Sequence, residues 1–326
     1  MGHVAILGTG SCVPEKVLTN ADLERMVETT DEWITQRTGI KERRISDEKT
    51  PSSHLALGAA QKALEASGVK PEELDFIVIG TITPDMPFPS TACLVQTRLG
   101  AAKAAAFDLA AGCTGFIYGL ELGKALVEAD RSRKVLVIGV EELTKITDWA
   151  DRATCVLFGD GAGAAVLGWT EEERGMLSTY VAADGSLGDL LYQPGGGSLN
   201  PASHATVDGK MHVVRMEGNK VFPHAVRKMS DAADRVLERA GIPKDKLDLL
   251  IPHQANSRII EAIGRHFDLP IEKVFVNIHK FGNTSAATIP IALDEAVRTG
   301  RIKKGDIVLL VAFGAGFTWG AVLLRW

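Results

Sequence analysis

Three residues of this chain stand where side chains can do covalent chemistry. Cys113 follows AAAFDLAAG and precedes TGFIYGLELGKAL. That pattern predicts a strand over 106–109, a turn of small residues, and a helix from about Cys113. A thiol at a helix N-terminus faces unpaired N–H groups and the positive dipole end, which favours thiolate. Ala110, Ala111, Gly112 and Gly115 leave space for a substrate beside it. Cys113 is therefore a candidate nucleophile, with a buried, inert thiol as the alternative. His253, in LDLLIPHQANSRII, is expected directly after a buried strand. The carboxyl ends of strands are where α/β sheets present functional groups; a packed loop histidine is the competing reading. Asn283, in HKFGNTSAATIPIAL, sits in a turn that opens a helix through Thr284 or Ser285. Taken alone, it reads as a helix cap.

A ligand contact is suggested by DEWITQRTGIKERR (31–44). Asp31 is expected to cap a helix and Gly39 to stop it. Trp33 and Arg37 are spaced i,i+4 and share one face. An indole that stacks on a base and a guanidinium that holds phosphate suit an anionic nucleotide carrier; an ordinary exposed helix fits as well. Cys12, Cys93 and Cys155 read as small core residues. No His or Cys spacing matches a metal site. VAILGTGSCVP and FGDGAGAA imitate dinucleotide loops, but neither leads into a helix as that motif requires. Their glycines are expected to serve tight turns or close packing.

These candidates must be positioned by a larger framework, and the chain repeats itself. SGVKPEELDFIVIG (67–80) resembles AGIPKDKLDLLIPH (240–253), with Leu247 lying 173 residues after Leu74. VLVIGVE and VLLVAFG share that offset, while GAAVLGW and GAVLLRW are separated by 157. A constant offset followed by a drop predicts two duplicated halves, 1–174 and 175–326, with an insertion near 141–158 in the first. Adding the offset to Cys113 lands in the turn after Asn283, so the two turns converge if the halves pack face to face. Within the halves, helices are predicted over 52–67, capped by Ser52 or Ser53 and stopped at Gly68, and over 231–240 and 259–267. A strand buried on both faces is predicted over 76–79. Strand and helix alternate, as in α/β layers. Gly195 to Gly197 and the polar stretch to Lys210 read as a surface loop.

Composition narrows the function classes. The 326 residues are 45% hydrophobic and 24% charged, enough for a packed interior. A net charge of −5 argues against a dedicated nucleic-acid binder. The uncharged stretch 307–324 is near the length of a membrane span, but Gly314, Gly316 and Gly320 divide it into two strands and a tight loop. Four cysteines without CxxC spacing, and no signal pattern at the N-terminus, lead to the expectation of a cytoplasmic protein.

The order Cys113, PHQAN (252–256), GNTSAA (282–287) and FGAGFTWG (313–320) resembles β-ketoacyl-acyl carrier protein synthase III of the thiolase superfamily. TNADLERMVETTDEWITQRTGIKERR and FGDGAGAAVL add to the likeness, which runs from Leu7 to Trp326. The resemblance implies a five-layered αβαβα thiolase-like fold and a homodimer. It also implies residue roles. Cys113 would accept the acyl group, and His253 with Asn283 would stabilise a thioester enolate. The backbone N–H groups of Cys113 and Ala315 would form an oxyanion hole. Trp33 and Arg152 would sandwich the adenine of coenzyme A, with Arg37 nearby. Gly218, Asn219 and Asn256 would hold the pantetheine, and Phe88, Leu143 and Phe158 would line an acyl pocket. Gln254, Ala255, Asn256, Ser257 and Arg258 would meet the carrier protein. Pro223 stands where some family members carry a basic residue, so Lys220, Arg227 or Lys228 would have to compensate.

The implied reaction is condensation of a short acyl-CoA with malonyl-acyl carrier protein, initiating fatty acid synthesis. A thiolate attacks near neutral pH, and its thioester stays activated for a second attack. Two donors on the thioester oxygen lower the barrier to CO₂ loss as an oxyanion hole does. No metal or redox cofactor is required. Rival readings are a secondary-metabolite ketosynthase or acyltransferase, a Cys-His-Asn hydrolase, and a non-catalytic carrier-binding scaffold.

Overall fold

The structure, a computed structural model, describes residues 2–326. Five strands, β1 (His3–Cys12), β2 (Phe76–Gly80), β3 (Ala105–Leu109), β4 (Val135–Glu142) and β5 (Asp160–Thr170), form one sheet in the order β1-β5-β4-β2-β3. Four more, β6 (Gly175–Ala183), β7 (Leu249–Pro252), β8 (Ile307–Gly314) and β9 (Thr318–Arg325), form a second in the order β7-β8-β9-β6. The second repeats the first: β2 and β4 are parallel, as are β7 and β8, and β4–β5 and β8–β9 are antiparallel. The segments matched at offsets of 173 and 157 lie on these equivalent strands. The expected insertion is also present. Residues 143–159 carry a 3₁₀ turn and the short helix Arg152–Cys155, where the second sheet has only 315–317.

Strand faces alternate between two apolar layers. In β4, Val135 and Val137 face the middle of the molecule, and Leu136, Ile138 and Val140 the outside. In β8, Val308, Leu310 and Ala312 face inward, and Leu309, Val311 and Phe313 outward. Burial on both faces is why these strands read as continuous apolar runs. Helices α1 (Asp31–Thr38), α2 (Ser52–Ser67), α3 (Thr91–Leu99), α4 (Gly115–Ala129), α5 (Gly218–Ala240), α6 (Ser257–His266) and α7 (Thr288–Arg298) complete the layers. α2 and α3 cover the first sheet, and α5 and α6 the second. α4 and α7 fill the space between, through Phe116, Ile117, Leu120, Ile289, Ala292 and Leu293.

Several expectations require correction. Pro51 is the N-cap of α2; Ser52 and Ser53 instead hold the 81–85 loop through Thr83 O and Asp85. Thr30, not Asp31, caps α1, accepting from Trp33 N at 3.1 Å. The helix expected over 231–240 begins at Gly218 and runs through Pro223. Its face of Val221, Ala225, Met229, Ala232 and Val236 is buried, and that packing offsets the lost backbone bond. Of the FGDGAGAA glycines, Gly161 and Gly163 lie within β5 and Gly159 just before it, and close packing is their role as expected: a Cβ on Gly163 would meet the backbone of Ile291 and Pro290 at 2.7 Å. The stretch 307–324 is a hairpin, and no helix among the described residues is long and apolar enough to cross a membrane.

Candidate active site

Cys113 sits in a 3₁₀ turn, Gly112–Thr114, between β3 and α4. Gly112 has φ of +51°, which small, Cβ-free residues tolerate. It also lets the 314–316 loop approach, since a Cβ there would stand 2.9 Å from Ala315 N. Gly314 is the reciprocal contact, with its missing Cβ 2.5 Å from Cys113 N. Thr318 fastens the two loops, donating toward Ala111 O at 2.9 Å or Ala315 O at 3.0 Å and touching the Thr114 hydroxyl. The N–H groups of Cys113 and Ala315 thereby both act on the thiol.

The thiol is less acidic than its helix-end position suggested. Burial pushes it up to about 11; the Ser285 hydroxyl lowers it, the Glu141 carboxylate raises it, and the two N–H groups lower it. Desolvation outweighs the turn's donors, so the expected free-standing thiolate is corrected to a thiol that needs a proton acceptor.

His253 follows β7 and is buried; its N–H donates to Val311 O at 2.8 Å. Burial pushes its pKa down to about 3, so the ring is neutral. Nδ1 lies 2.6 Å from Thr288 Oγ1 at the start of α7. Thr288 Oγ1 also lies 2.9 Å from Ser285 O, so a donor at Nε2 requires Thr288 to turn its one hydrogen from that carbonyl to Nδ1. Asn283 pairs beside the 157–159 segment of the insertion, with its N–H on Leu157 O and its carbonyl taking Gly159 N–H. Its Oδ1 accepts from Ser285 N at 2.8 Å. That bond closes a local turn and does not cap a helix, since the caps of the following 3₁₀ turn and of α7 are Thr284 and Ala287; it also leaves the amide NH₂ free to donate. Ala286 lies against Gly115, so the two offset-related turns do converge.

Cys113 and Asn283 both line two cavities. One, about 120 Å³, is walled by Met216, Gly218, Phe222, His253, Ala255 and Asn256. The other, about 390 Å³, is walled by Ile82, Leu143, Phe158, Ser285, Ala315 and Gly195 to Gly197. An acyl chain and a thioester arm can thus approach one sulfur from different sides. Gly195 to Gly197, read as a surface loop, form part of this wall. Leu143 and Phe158 are in the pocket as expected, but Phe88 is not: it is 85% exposed at the tip of the 81–90 loop. Cys155 is core, and Cys12 and Cys93 are half-buried.

At the outer end, the Arg37 guanidinium stands 5.0 Å from the Trp33 ring centroid, and that of Arg152 4.9 Å. Arg152 also donates to Glu28 O at 2.9 Å. With Arg152 directly on the indole, the two groups of the expected adenine sandwich touch each other and leave no gap for a base. Gly218 lines the smaller cavity, whereas Asn219 is exposed outside its wall. Asn256 caps α6 through Arg258 N at 2.9 Å and donates to Arg37 O at 3.0 Å, joining α6 to α1. Gln254 cannot meet a carrier protein. It is 1% exposed, donating to Pro252 O and Phe275 O and accepting from Asn277 N and Ile278 N. Ala255 faces the cavity and Ser257 packs on Gly39, leaving Arg258 as the exposed member of that group. Lys228 is stacked on Trp319 and Lys220 is paired with Glu217, so Arg227 is the freer cation on α5.

The close approach at Gly314 yields a sharp expectation. Gly314→Ala should cut acyl transfer to the protein by about 10²-fold to 10³-fold, the scale of losing one oxyanion donor. Acylation followed by mass spectrometry, with circular dichroism to check folding, measures this; a folded variant that acylates at the parent rate would exclude this oxyanion geometry.

Comparison with known proteins agrees with this architecture. Residues 107–185 match the family model for 3-oxoacyl-(acyl-carrier-protein) synthase III, and 237–326 its C-terminal model. A β-ketoacyl-(acyl-carrier-protein) synthase III of Caldanaerobacter subterraneus is 58% identical, covering 98% of this chain and 97% of the relative. The crystal structure of a 3-oxoacyl-(acyl-carrier-protein) synthase III from Aquifex aeolicus is 50% identical with a TM-score of 0.92, covering 99% of this chain and all of that one. A priming β-ketosynthase of the R1128 polyketide pathway has the same TM-score at 34% identity, covering 99% of this chain and 96% of that one. The fold is thus the five-layered thiolase type, and the chain belongs to the β-ketoacyl-acyl carrier protein synthase III family.

Proposed function

We propose that this chain condenses a short acyl-CoA with malonyl-acyl carrier protein, losing CO₂ and giving the β-ketoacyl-acyl carrier protein that starts fatty acid synthesis. The observation that carries this reading is Cys113 at the junction of two cavities, with His253 and Asn283 on their walls. In the first half-reaction the Cys113 sulfur attacks the thioester carbonyl, whose oxygen takes the N–H groups of Cys113 and Ala315. Coenzyme A leaves, and the acyl chain occupies the larger cavity. In the second, the malonyl thioester enters by the smaller cavity. His253 and Asn283 donate to its oxygen while CO₂ departs, and the enolate carbon attacks the acyl-enzyme. A neutral His253 suits this role, since it donates without giving up a proton to a weak base. Primary fatty acid synthesis is favoured over a secondary-metabolite role by 50–58% identity to synthases III against 34% to the polyketide enzyme. Incubation with acetyl-, isobutyryl- and longer acyl-CoAs plus malonyl-carrier protein should give β-ketoacyl-carrier protein from at least one short starter. No condensation product from any starter would leave the scaffold reading.

The protein acts, in this reading, as a homodimer in the cytoplasm. Four free thiols suit a reducing compartment, and the exposed Phe88 suits burial against a second copy. The carrier protein, acidic in this family, would dock on Arg258 and Arg227. Arg258→Glu should raise KM for malonyl-carrier protein about 3-fold to 10-fold, the scale of one or two exposed charges. Acylation by a small acyl-CoA should hardly change, and the KM difference should shrink with salt. Equal effects on both half-reactions would place the docking surface elsewhere.

A further inference from the structure

Glu141 is a carboxylate where the fold calls for an apolar side chain. It continues the inward series Val135, Val137, Gly139 of β4 and is fully buried. Its partners are all neutral: Thr83 Oγ1 at 2.6 Å, Ile82 N at 3.2 Å, Thr81 Oγ1 at 3.4 Å and Ser285 Oγ at 3.2 Å. The other charged or titratable groups around it are engaged elsewhere. Glu142 pairs with Lys145, Asp160 with Ser46 and Thr144, and Asp85 with Ser53. Cys113 is the titratable group on the other side of Ser285: both line the larger cavity, and the Ser285 hydroxyl bears on the thiol. A buried carboxylate without a cation is costly, and such a group often marks function.

We propose that Glu141 receives the Cys113 proton through the Ser285 hydroxyl when the sulfur attacks an acyl thioester. This rests on the reading of Cys113 as the acylated nucleophile. The Sγ–H bond breaks as a proton passes to Ser285 Oγ, and the proton of Ser285 passes to Glu141 Oε1. The Sγ–carbonyl bond forms, the bond from the carbonyl to the coenzyme A sulfur breaks, and the departing thiolate takes the proton back by the same path. The buried site holds one negative charge throughout, so no charge is newly desolvated. His253 is the weaker acceptor, with burial holding it down to about 3, whereas burial holds Glu141 up at about 7. Glu141 is a positioning and proton-holding residue, not one that touches substrate.

The test is the pH profile of Cys113 acylation, read by mass spectrometry, in the full-length protein and in Glu141→Gln. Gln keeps the shape and loses the acceptor. Its acylation at neutral pH should fall about 10²-fold, the lower range for a lost general base. The rise of its rate should move to higher pH, toward the thiol's own ionisation, while malonyl decarboxylation stays near the parent rate. Removing a negative charge alone would make the thiol more acidic and acylation faster. A variant as fast as the parent, or faster, therefore overturns the relay. So does equal loss of both half-reactions with an unchanged pH profile, which is what a structural role would give. If the Gln variant does not fold, Ser285→Ala breaks the bridge and leaves Glu141 its bonds to Ile82 and Thr83. The same upward shift is expected, and an unshifted profile overturns the proposal. A parent protein that takes no acyl group sinks the Cys113 reading and the relay together; normal parent acylation with an unaffected variant sinks the relay alone.

Discussion

Cys113→Ser should accept no acyl group from acyl-CoA and form no condensation product. A serine hydroxyl in this turn meets the same N–H donors, yet it is far less acidic than a thiol held at about 11. The loss should therefore exceed about 10³-fold in both self-acylation and turnover. Radiolabelled acyl-CoA followed by gel filtration measures the first, and carrier-protein product the second. A Ser variant that condenses near the parent rate would remove Cys113 from the mechanism.

Asn283→Ala should divide the half-reactions. Its amide NH₂ is a donor free to meet the enolate oxygen, and losing one such donor costs about 10²-fold to 10³-fold. Malonyl decarboxylation should fall by that amount while Cys113 is still acylated. The substitution also orphans Ser285 N–H, now bonded to Asn283 Oδ1 at 2.8 Å. Asn283→Asp keeps that acceptor and abolishes the donor, so it should lose decarboxylation as badly. An Asp variant that restores CO₂ release would show that Asn283 matters only as the acceptor of the Ser285 N–H. Failure of acylation with CO₂ release intact would reverse the two roles.

The site was legible in the sequence where local pattern and chemistry coincide. Cys113 follows a strand and opens a helix, and the 173-residue offset relates it to the turn that holds Asn283. The repeat survives because both copies must place a strand buried on two faces at the same point in a sheet. What was not legible depends on burial and on side-chain partners. Dipole reasoning made the thiol acidic; desolvation, a property of the folded surroundings, reverses that. Gln254 shares its pentapeptide with His253, but its four backbone partners, one at 252 and three within 275–278, pull it inside. Phe88 lies in the 81–90 loop, and sequence gives no sign that its side chain is exposed there. Ser285 reads from sequence only as a helix opener in GNTSAA, and Thr288 carries no signal of its own. Their importance lies in distances: one hydroxyl 3.2 Å from Glu141 on a cavity wall shared with Cys113, the other 2.6 Å from His253. Glu141 did leave a trace, as a carboxylate ending VLVIGVE at an inward position.

The central claim is that an acyl group moves onto one particular sulfur. Intact-mass and peptide mass spectrometry after incubation with a short acyl-CoA tests it directly. The expected result is a single added acyl mass, carried by the peptide that contains Cys113 and absent after alkylation of that thiol. An acyl group on Cys12, Cys93 or Cys155, or none on any cysteine while condensation proceeds, would contradict it.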